Sequence, residues 1–418
     1  MNLTYFAIRA LMFPLSLLPF KGIHFAGNAL GSLAYHVMKK YRKRALSNLS
    51  LAQDLKIKDL KKTAKGAFKN LAITCLEYPK FSRLKNTKKV IHCENPSTAA
   101  EIINQGKGVV FFCGHQANWE LLFIEGTQRM PGVAIGRPIK NLSLYKWVVS
   151  IREKFGGTII EPKQAIKEGL RALKKGKFLG IVGDQGMPES SYAFDFFGRR
   201  AWTTPSPAIL AYRTNCPIIV AMIKREKGKY FIHYSDPIWP DLEKTMDHEI
   251  KRMMKESLTI LEDDIRKRPE QWLWQHNRWK QETPVNVYYR YRWDSILIIV
   301  PKDFDPKELA TFRVIYPQAF MTILAPYEMD IPLSDVEIIR YKTSKELYLQ
   351  DYRFKLVFNF TRESGLKKHF LALSAFHVLD LNALKKAAFE HALPNDSFSL
   401  LLKKALTRPN TLWKKDAK

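Results

Sequence analysis

The 418-residue chain has only four cysteines, Cys75, Cys93, Cys113 and Cys216. None forms a Cys-x-x-Cys pair and their spacings suit no zinc site, which excludes a disulfide-stapled secreted scaffold and a zinc-ribbon-type module, and fits a reducing compartment. No His-Glu-x-x-His stretch occurs, so the common zinc-hydrolase arrangement is absent as well. The chain lacks a glycine-rich phosphate loop, an internal repeat and any low-complexity segment. No Ala-x-Ala cleavage site follows the apolar N-terminal residues, so a removed signal peptide is not expected. Acidic residues are comparatively scarce, with 40 Asp plus Glu against 68 Lys plus Arg and a formal net charge of +28. Such a balance predicts acidic partners: nucleic acid, an anionic membrane surface, a phosphorylated lipid or an acidic carrier protein. No nucleic-acid-binding module accompanies it.

The composition is that of a globular protein long enough for two or three domains. Residues 3–20 are apolar apart from Arg9 and a few hydroxyl side chains, and Pro14 and Pro19 interrupt them. At ~1.5 Å per residue they barely match a hydrocarbon core. The apolar character continues to Met38 and stops at Lys39, Lys40, Arg42, Lys43 and Arg44. This pattern predicts an uncleaved N-terminal membrane anchor helix with a basic collar over 1–44, crossing once or lying in the inner leaflet, with the rest of the chain on the cytoplasmic side.

Residues 45–90 are helical in pattern. From 108 onward strands at 108–113, 133–136, 157–160 and 178–183 alternate with helices at 118–129, 142–155 and 163–175. A long loop then leads from Asp184 to Pro207, followed by a helix at 206–214, strands near 217–224 and 229–234, and helices over 243–275. The alternation argues for an α/β class with a mixed, largely parallel sheet flanked by helices. The composition shifts near Glu282-Thr283-Pro284, so one domain is placed at 45–285 and a second, smaller α/β domain at 286–418. In the latter, strands are expected at 295–300, 319–324, 336–341, 356–360 and 369–374.

The densest chemistry lies in Gly-His-Gln-Ala-Asn-Trp-Glu, residues 114–120. It follows a buried apolar run, with Asn118 as a helix cap and Glu120 in the first turn. Residues five apart point about 140° away from each other on a helix. His115 must therefore sit in the turn before the helix if Glu120 is to bond its ring, fix its tautomer and make a general base. Other polar groups fall at the ends of other strands, where α/β sheets gather their functional groups: Arg137, then Asp184 and Gln185, with Arg152 on a helix between them. These are candidates to hold phosphates or an oxyanion. Cys113, two residues before His115, is expected to be an inert core thiol.

In combination, GHQANWE, Gly-Arg-Pro with Asn141, GDQG, Phe-Phe-Gly and the block WLWQHNRWK resemble the late acyltransferases of lipid A biosynthesis, over about residues 1–285. The resemblance implies a glycerolipid-acyltransferase-like fold and an N-terminal anchor in the inner membrane. The implied donor is an acyl chain on acyl carrier protein, and the implied acceptor a hydroxyl of a phosphorylated lipid A precursor. It further implies His115 as base with Glu120 as its orienter. Arg152 or Arg137 would be the oxyanion or phosphate cation, and Asp184 and Gln185 would lie near the acceptor. No metal or soluble cofactor is implied, since thioester acyl transfer is downhill, and nucleic acid is not an expected partner. Residues 286–418 depart from the family and faintly resemble half of a heptosyltransferase-type glycosyltransferase, so a degenerate accessory domain is expected there. The competing functions are another membrane-associated glycolipid or glycerolipid acyltransferase, or a glycosyltransferase acting on the same kind of acceptor.

Overall fold

The computed structural model describes residues 3–413; the outermost residues of the expected end segments, 1–2 and 414–418, lie outside them. The chain divides into a unit of Met1–Met38 with Gln53–Gln275 and a unit of Lys39–Ala52 with His276–Lys418.

The first unit opens with α1 (Leu3–Leu17) and α2 (Phe20–Val37); α3 (Lys39–Leu51) belongs to the second, and α4 (Leu60–Phe81) returns to the first. The expected membrane-crossing anchor is not there: among the described residues no helix is long and apolar enough to cross a membrane. The physical reason lies in the break at Leu18-Pro19. It leaves α1 with 15 residues, ~22 Å of helix against ~30 Å of hydrocarbon, and α2 carries Lys21, His24, Asn28 and His36. Moreover, α2 packs directly on α4. Side chains at Gly27 and Gly31 would strike the backbone at Ile73 (2.9 Å) and Lys69 (2.4 Å), and Ile23, Gly27, Gly31 and Tyr35 form the buried stripe at every fourth position.

The remaining elements of this unit are β1 (Ile91–Cys93), α5 (Ser97–Asn104), β2 (Val109–Cys113), α6 (Glu120–Gly126), β3 (Gly132–Ile135), α7 (Leu142–Arg152), β4 (Thr158–Ile160), α8 (Ala165–Lys174), β5 (Phe178–Val182), β6 (Tyr192–Phe196), β7 (Arg199–Thr203), α9 (Ser206–Thr214), β8 (Ile218–Glu226), β9 (Lys229–Tyr234) and α10 (Met246–Lys267). Seven strands form one sheet in the order β1-β9-β8-β2-β5-β3-β4. Neighbours run parallel except for the β8–β9 hairpin. This is the mixed, largely parallel sheet that the alternation predicts. β2 is Val-Val-Phe-Phe-Cys and buried at every position, as a central parallel strand covered on both faces must be. Helices begin at side-chain caps where the sequence offers them: Asp59 accepts from Lys62 N before α4, and Asn141 from Leu144 N before α7.

The stretch expected as one long loop after Asp184 contains the β6–β7 hairpin. Its two-residue turn is Phe197 (φ 51°) and Gly198 (φ 71°), the left-handed pair that matches strand twist. A side chain on Gly198 would meet Asp54 at 2.6 Å. Glu262 accepts the Phe197 amide, and the Phe196 ring rests on Trp272.

The second unit is built on β10 (Ser295–Ile299), α11 (Ala310–Ile315), β11 (Phe320–Pro326), β12 (Glu337–Tyr341), β13 (Leu356–Asn359), α12 (Gly365–Leu373), β14 (His377–Leu379), α13 (Leu381–Ala387) and α14 (Phe398–Leu406). Its five strands are parallel in the order β12-β11-β10-β13-β14, a doubly wound layout. Buried Lys355 donates to Asp294 Oδ1 and Asn277 Oδ1, each at 2.6 Å, which compensates a charge with no access to water. Residues 369–374, expected as a strand, lie mostly in α12, because Leu366, Phe370 and Leu373 bury one helical face. Asp303-Phe304-Asp305 has the Asp-x-Asp spacing of nucleotide-sugar enzymes, but Asp305 caps the following turn through Lys307 N (3.0 Å) and Phe304 stacks on Phe360 (5.5 Å).

Candidate active site

The chain leaves β2 at Cys113 and enters α6 at Glu120, and the six residues between form a tightly held turn. A side chain at Gly114 would press on Leu261 at 2.9 Å and on Asp184 Oδ2 at 3.3 Å, so only glycine lets that carboxylate approach. Ala117 is in the left-handed region at φ 41°, a conformation that costs about 1–2 kcal/mol without glycine. Hydrogen bonds from two directions hold it there. Its amide donates to Gln271 O (2.7 Å), and its carbonyl accepts from Asn70 Nδ2 (3.1 Å) and Thr74 Oγ1 (2.9 Å) of α4. Gln116 bridges Trp272, and Leu273 N donates to His115 O at 3.1 Å. Segment 271–273 thus lies along the turn like a short strand.

His115 sits in the turn before the helix, as the spacing requires. The group on its ring is Asp184, where the sequence points to Glu120. Nδ1 lies 2.6 Å from Asp184 Oδ1, while Oδ2 accepts the His115 amide (3.0 Å) and the Trp272 indole N–H (2.9 Å). Asp184 is fully buried at the end of β5, and this set of donors keeps it an anion with fixed orientation. Nδ1 therefore carries the proton and Nε2 is left as the free base; it has no partner among the described residues. Gln185 Nε2, 3.3 Å from Nδ1, is in contact with a nitrogen whose proton already points at Asp184. Burial pushes the imidazole down, but the charge and hydrogen bond of Asp184, with the charge of Glu120 adding, outweigh it. The His115 pKa stands above its ordinary value. The ring retains 21% of its surface exposed.

Glu120 is engaged by Arg152. The guanidinium at the end of α7 forms a two-pronged pair, Nε to Oε2 at 2.7 Å and Nη2 to Oε1 at 2.6 Å, and Nη2 also lies 3.3 Å from the Tyr78 hydroxyl. Nη1 is left without a partner among the described residues. Burial opposes the charge on Arg152, yet Glu120 more than restores it, so the group stays a cation. Asn118 does not cap α6: its buried amide donates to Glu77 Oε2 at 2.6 Å, and Glu77 also accepts from Tyr230 and contacts His24 Nε2. Cys113 is a core thiol that burial holds well above the usual thiol range.

His115, Glu120, Arg137, Arg152 and Gln185 all line one cavity of about 600 Å³, with Asp184 buried behind it. Arg137 is exposed on the segment after β3, whereas the other groups lie deeper. Below them the cavity runs over the face of the sheet that carries Phe111, Ala134, Phe178 and Gly180, under Phe123 of α6. A polar head with an apolar body suits an amphipathic substrate. Among the described residues no group of three or more His, Cys, Asp or Glu is arranged to hold a metal ion. The sequence marks Trp272 and Leu273 as members of the aromatic block but does not place the indole on Asp184, and it does not point to Tyr78 beside Arg152. Their only signals are an aromatic block and an unremarkable helix, each remote in sequence from the group it contacts.

A family model described as "Bacterial lipid A biosynthesis acyltransferase" matches residues 2–281. The chain is 25% identical over 286 residues to the lipid A biosynthesis lauroyltransferase of Escherichia coli (strain K12), covering 66% of this chain and 90% of that protein. It is 24% identical over 285 residues to the lipid A biosynthesis palmitoleoyltransferase of the same organism, covering 66% and 91%. A lipid A biosynthesis acyltransferase of Haemophilus influenzae is 28% identical over 179 residues, covering 41% and 53%.

Proposed function

This chain belongs to the bacterial lipid A biosynthesis acyltransferase family and is an acyltransferase; from that premise we propose that it carries a fatty acyl chain from acyl carrier protein to a phosphorylated lipid A precursor, at the cytoplasmic face of the inner membrane. The accepting group is a hydroxyl on an acyl chain already attached to that precursor. His115 Nε2 removes the hydroxyl proton, and the alkoxide attacks the thioester carbonyl. The tetrahedral intermediate then expels the carrier thiolate, which recovers the proton from His115. Asp184 holds the tautomer that leaves Nε2 free. Glu120 is the orienter of Arg152, whose unpartnered Nη1 is the donor to the oxyanion. Arg137, exposed along the cavity lining, meets a phosphate of the acceptor, and Gln185 packs beside the base.

The observation that carries this reading is the contact between His115 Nδ1 and a fully buried carboxylate at 2.6 Å, with the His115 ring lining a cavity that is polar at one end and apolar along its length. The surplus of positive charge, +28, suits two anionic partners, carrier protein and phosphorylated lipid. Leu3, Leu11 and Phe25, at 77%, 79% and 78% exposure, give α1 and α2 an apolar outer surface consistent with work at a lipid surface. The second unit is proposed as accessory. In the test, His115→Ala lowers transfer from acyl carrier protein to a lipid A precursor by at least about 10³-fold while the protein stays folded, as circular dichroism reads it. Transfer at the wild-type rate refutes the mechanism.

A further inference from the structure

Two residues on β5 contribute to the cavity in opposite ways. Gly180 lies mid-strand in the centre of the sheet, where glycine is normally a cost, and its backbone does not require one. A Cβ there would meet only ordinary contacts, Ala134 Cβ at 3.5 Å and Val133 O at 3.8 Å. What Gly180 supplies is room. Phe178, two residues earlier on the same face, closes that room. Its ring reaches over β3, where a Cβ on Gly132 would come within 2.2 Å of it, and on to α6, where one on Gly126 would come within 3.3 Å. Phe111 and Phe123 clasp the ring edge-on at centroid distances of 5.3 and 5.9 Å. Phe178 is thus a fixed aromatic floor in a glycine-lined socket, and it is 2% exposed.

We propose that Gly180 and Phe178 set the length of the acyl chain this enzyme transfers, Gly180 by leaving the bore open and Phe178 by ending it. The inference rests on the acyl-transfer reading above. Parallel pairing places Cys113 beside Val182, at the level of the catalytic turn, and Val109 beside Phe178. From Val182 to Phe178 the strand advances ~13 Å at ~3.3 Å per residue. An extended hydrocarbon built from ~1.5 Å bonds advances ~1.3 Å per carbon, so about ten carbons fit between base and floor. With the thioester carbonyl at the base, the preferred donor is a saturated chain of about 10–12 carbons.

The test measures kcat/KM of the full-length protein with acyl carrier protein charged with saturated chains from about 8 to about 16 carbons, against a lipid A precursor. Wild type is expected to peak at about 10–12 carbons. Phe178→Ala moves the peak about two to four carbons longer and raises the ratio of long-chain to optimal-chain transfer at least about tenfold. Gly180→Val moves it the other way, losing the wild-type optimum while retaining the shortest chain. Gly180→Ala, whose added methyl meets only ordinary contacts, gives the same direction in smaller measure should the valine variant not fold. A wild-type optimum near 16 carbons overturns the proposal, as does an unchanged chain-length profile in Phe178→Ala together with Gly180→Ala. Absence of transfer by wild type from every thioester overturns instead the reading of the active site on which it rests.

Discussion

Replacing Asp184 with asparagine tests the catalytic centre most directly, because geometry limits what the amide can do. Oδ2 accepts two donors, the His115 amide and the Trp272 indole, and Oδ1 faces His115 Nδ1. The asparagine oxygen keeps both donors on the Oδ2 side, which turns its NH2 toward the imidazole. Nδ1 must then become the acceptor and Nε2 the protonated nitrogen, so the base is lost with the ring still in place. The expected fall in kcat is about 10³–10⁴-fold, or about 4–5.5 kcal/mol at ~1.4 kcal/mol per decade. Stability falls by one charge-assisted bond, about 1.5–3 kcal/mol. The pH dependence has a definite sign. In the wild type the His115 pKa lies above the ordinary imidazole value, so the acid limb of kcat/KM lies above ~6.5. A raised pKa also contributes stability that is fully present below ~6.5 and is lost as pH rises through the folded value. In Asp184→Asn the larger raising influence is gone while burial remains and only the charge of Glu120 still raises the group, so the acid limb moves to lower pH and the stability dependence flattens. Acyl transfer from carrier protein followed from pH 5 to 9, with thermal melts at both ends, reads both effects. A variant within tenfold of the wild-type rate, or with an unmoved acid limb, refutes the assignment of Asp184 as orienter.

Arg152→Lys keeps a positive charge but cannot form the two-pronged pair with Glu120 while leaving a third donor for the oxyanion. Its kcat should fall at least about 10²-fold with KM little changed, and a change confined to KM would assign Arg152 to binding alone. Trp272→Phe removes one donor from Asp184 Oδ2 and keeps the aromatic packing against Phe196. The carboxylate becomes a stronger partner for the imidazolium, so the acid limb should move to higher pH and stability fall by about 1.5–3 kcal/mol, with an unmoved limb counting against the indole contact.

The first unit was legible from 108 to 182 because its signals are local. Buried β-branched and aromatic runs specify central strands, and Asn141 marks a helix start. Where the signal is ambiguous, the expectation missed. The stretch at 369–374 is apolar enough for a strand, and only its packing partners select the helical face of Leu366, Phe370 and Leu373. The β6–β7 hairpin was hidden because its turn uses Phe197 in the left-handed region, where local propensity expects Asn or Gly. The apolar N-terminal residues carried a hydropathy signal without the geometry of a crossing. The break before Phe20 and the small-residue stripe of α2 turn that segment into a helix packed on α4.

For the site, the sequence alone determined which residues have the right chemistry and that His115 stands in a strand-to-helix turn, since both follow from residue type and local period. It could not determine which carboxylate serves which cation. Glu120 is five residues from His115 and Asp184 is 69. Yet β2 and β5 are neighbours in register, which brings their ends together and sets Asp184 behind the imidazole. Glu120, turned away by the pitch of α6, meets Arg152 from α7 instead. Hydrogen bonding selects partners over about 3 Å in space, whatever their separation along the chain. That pairing, and the open bore above Gly180, exist only once the sheet is assembled.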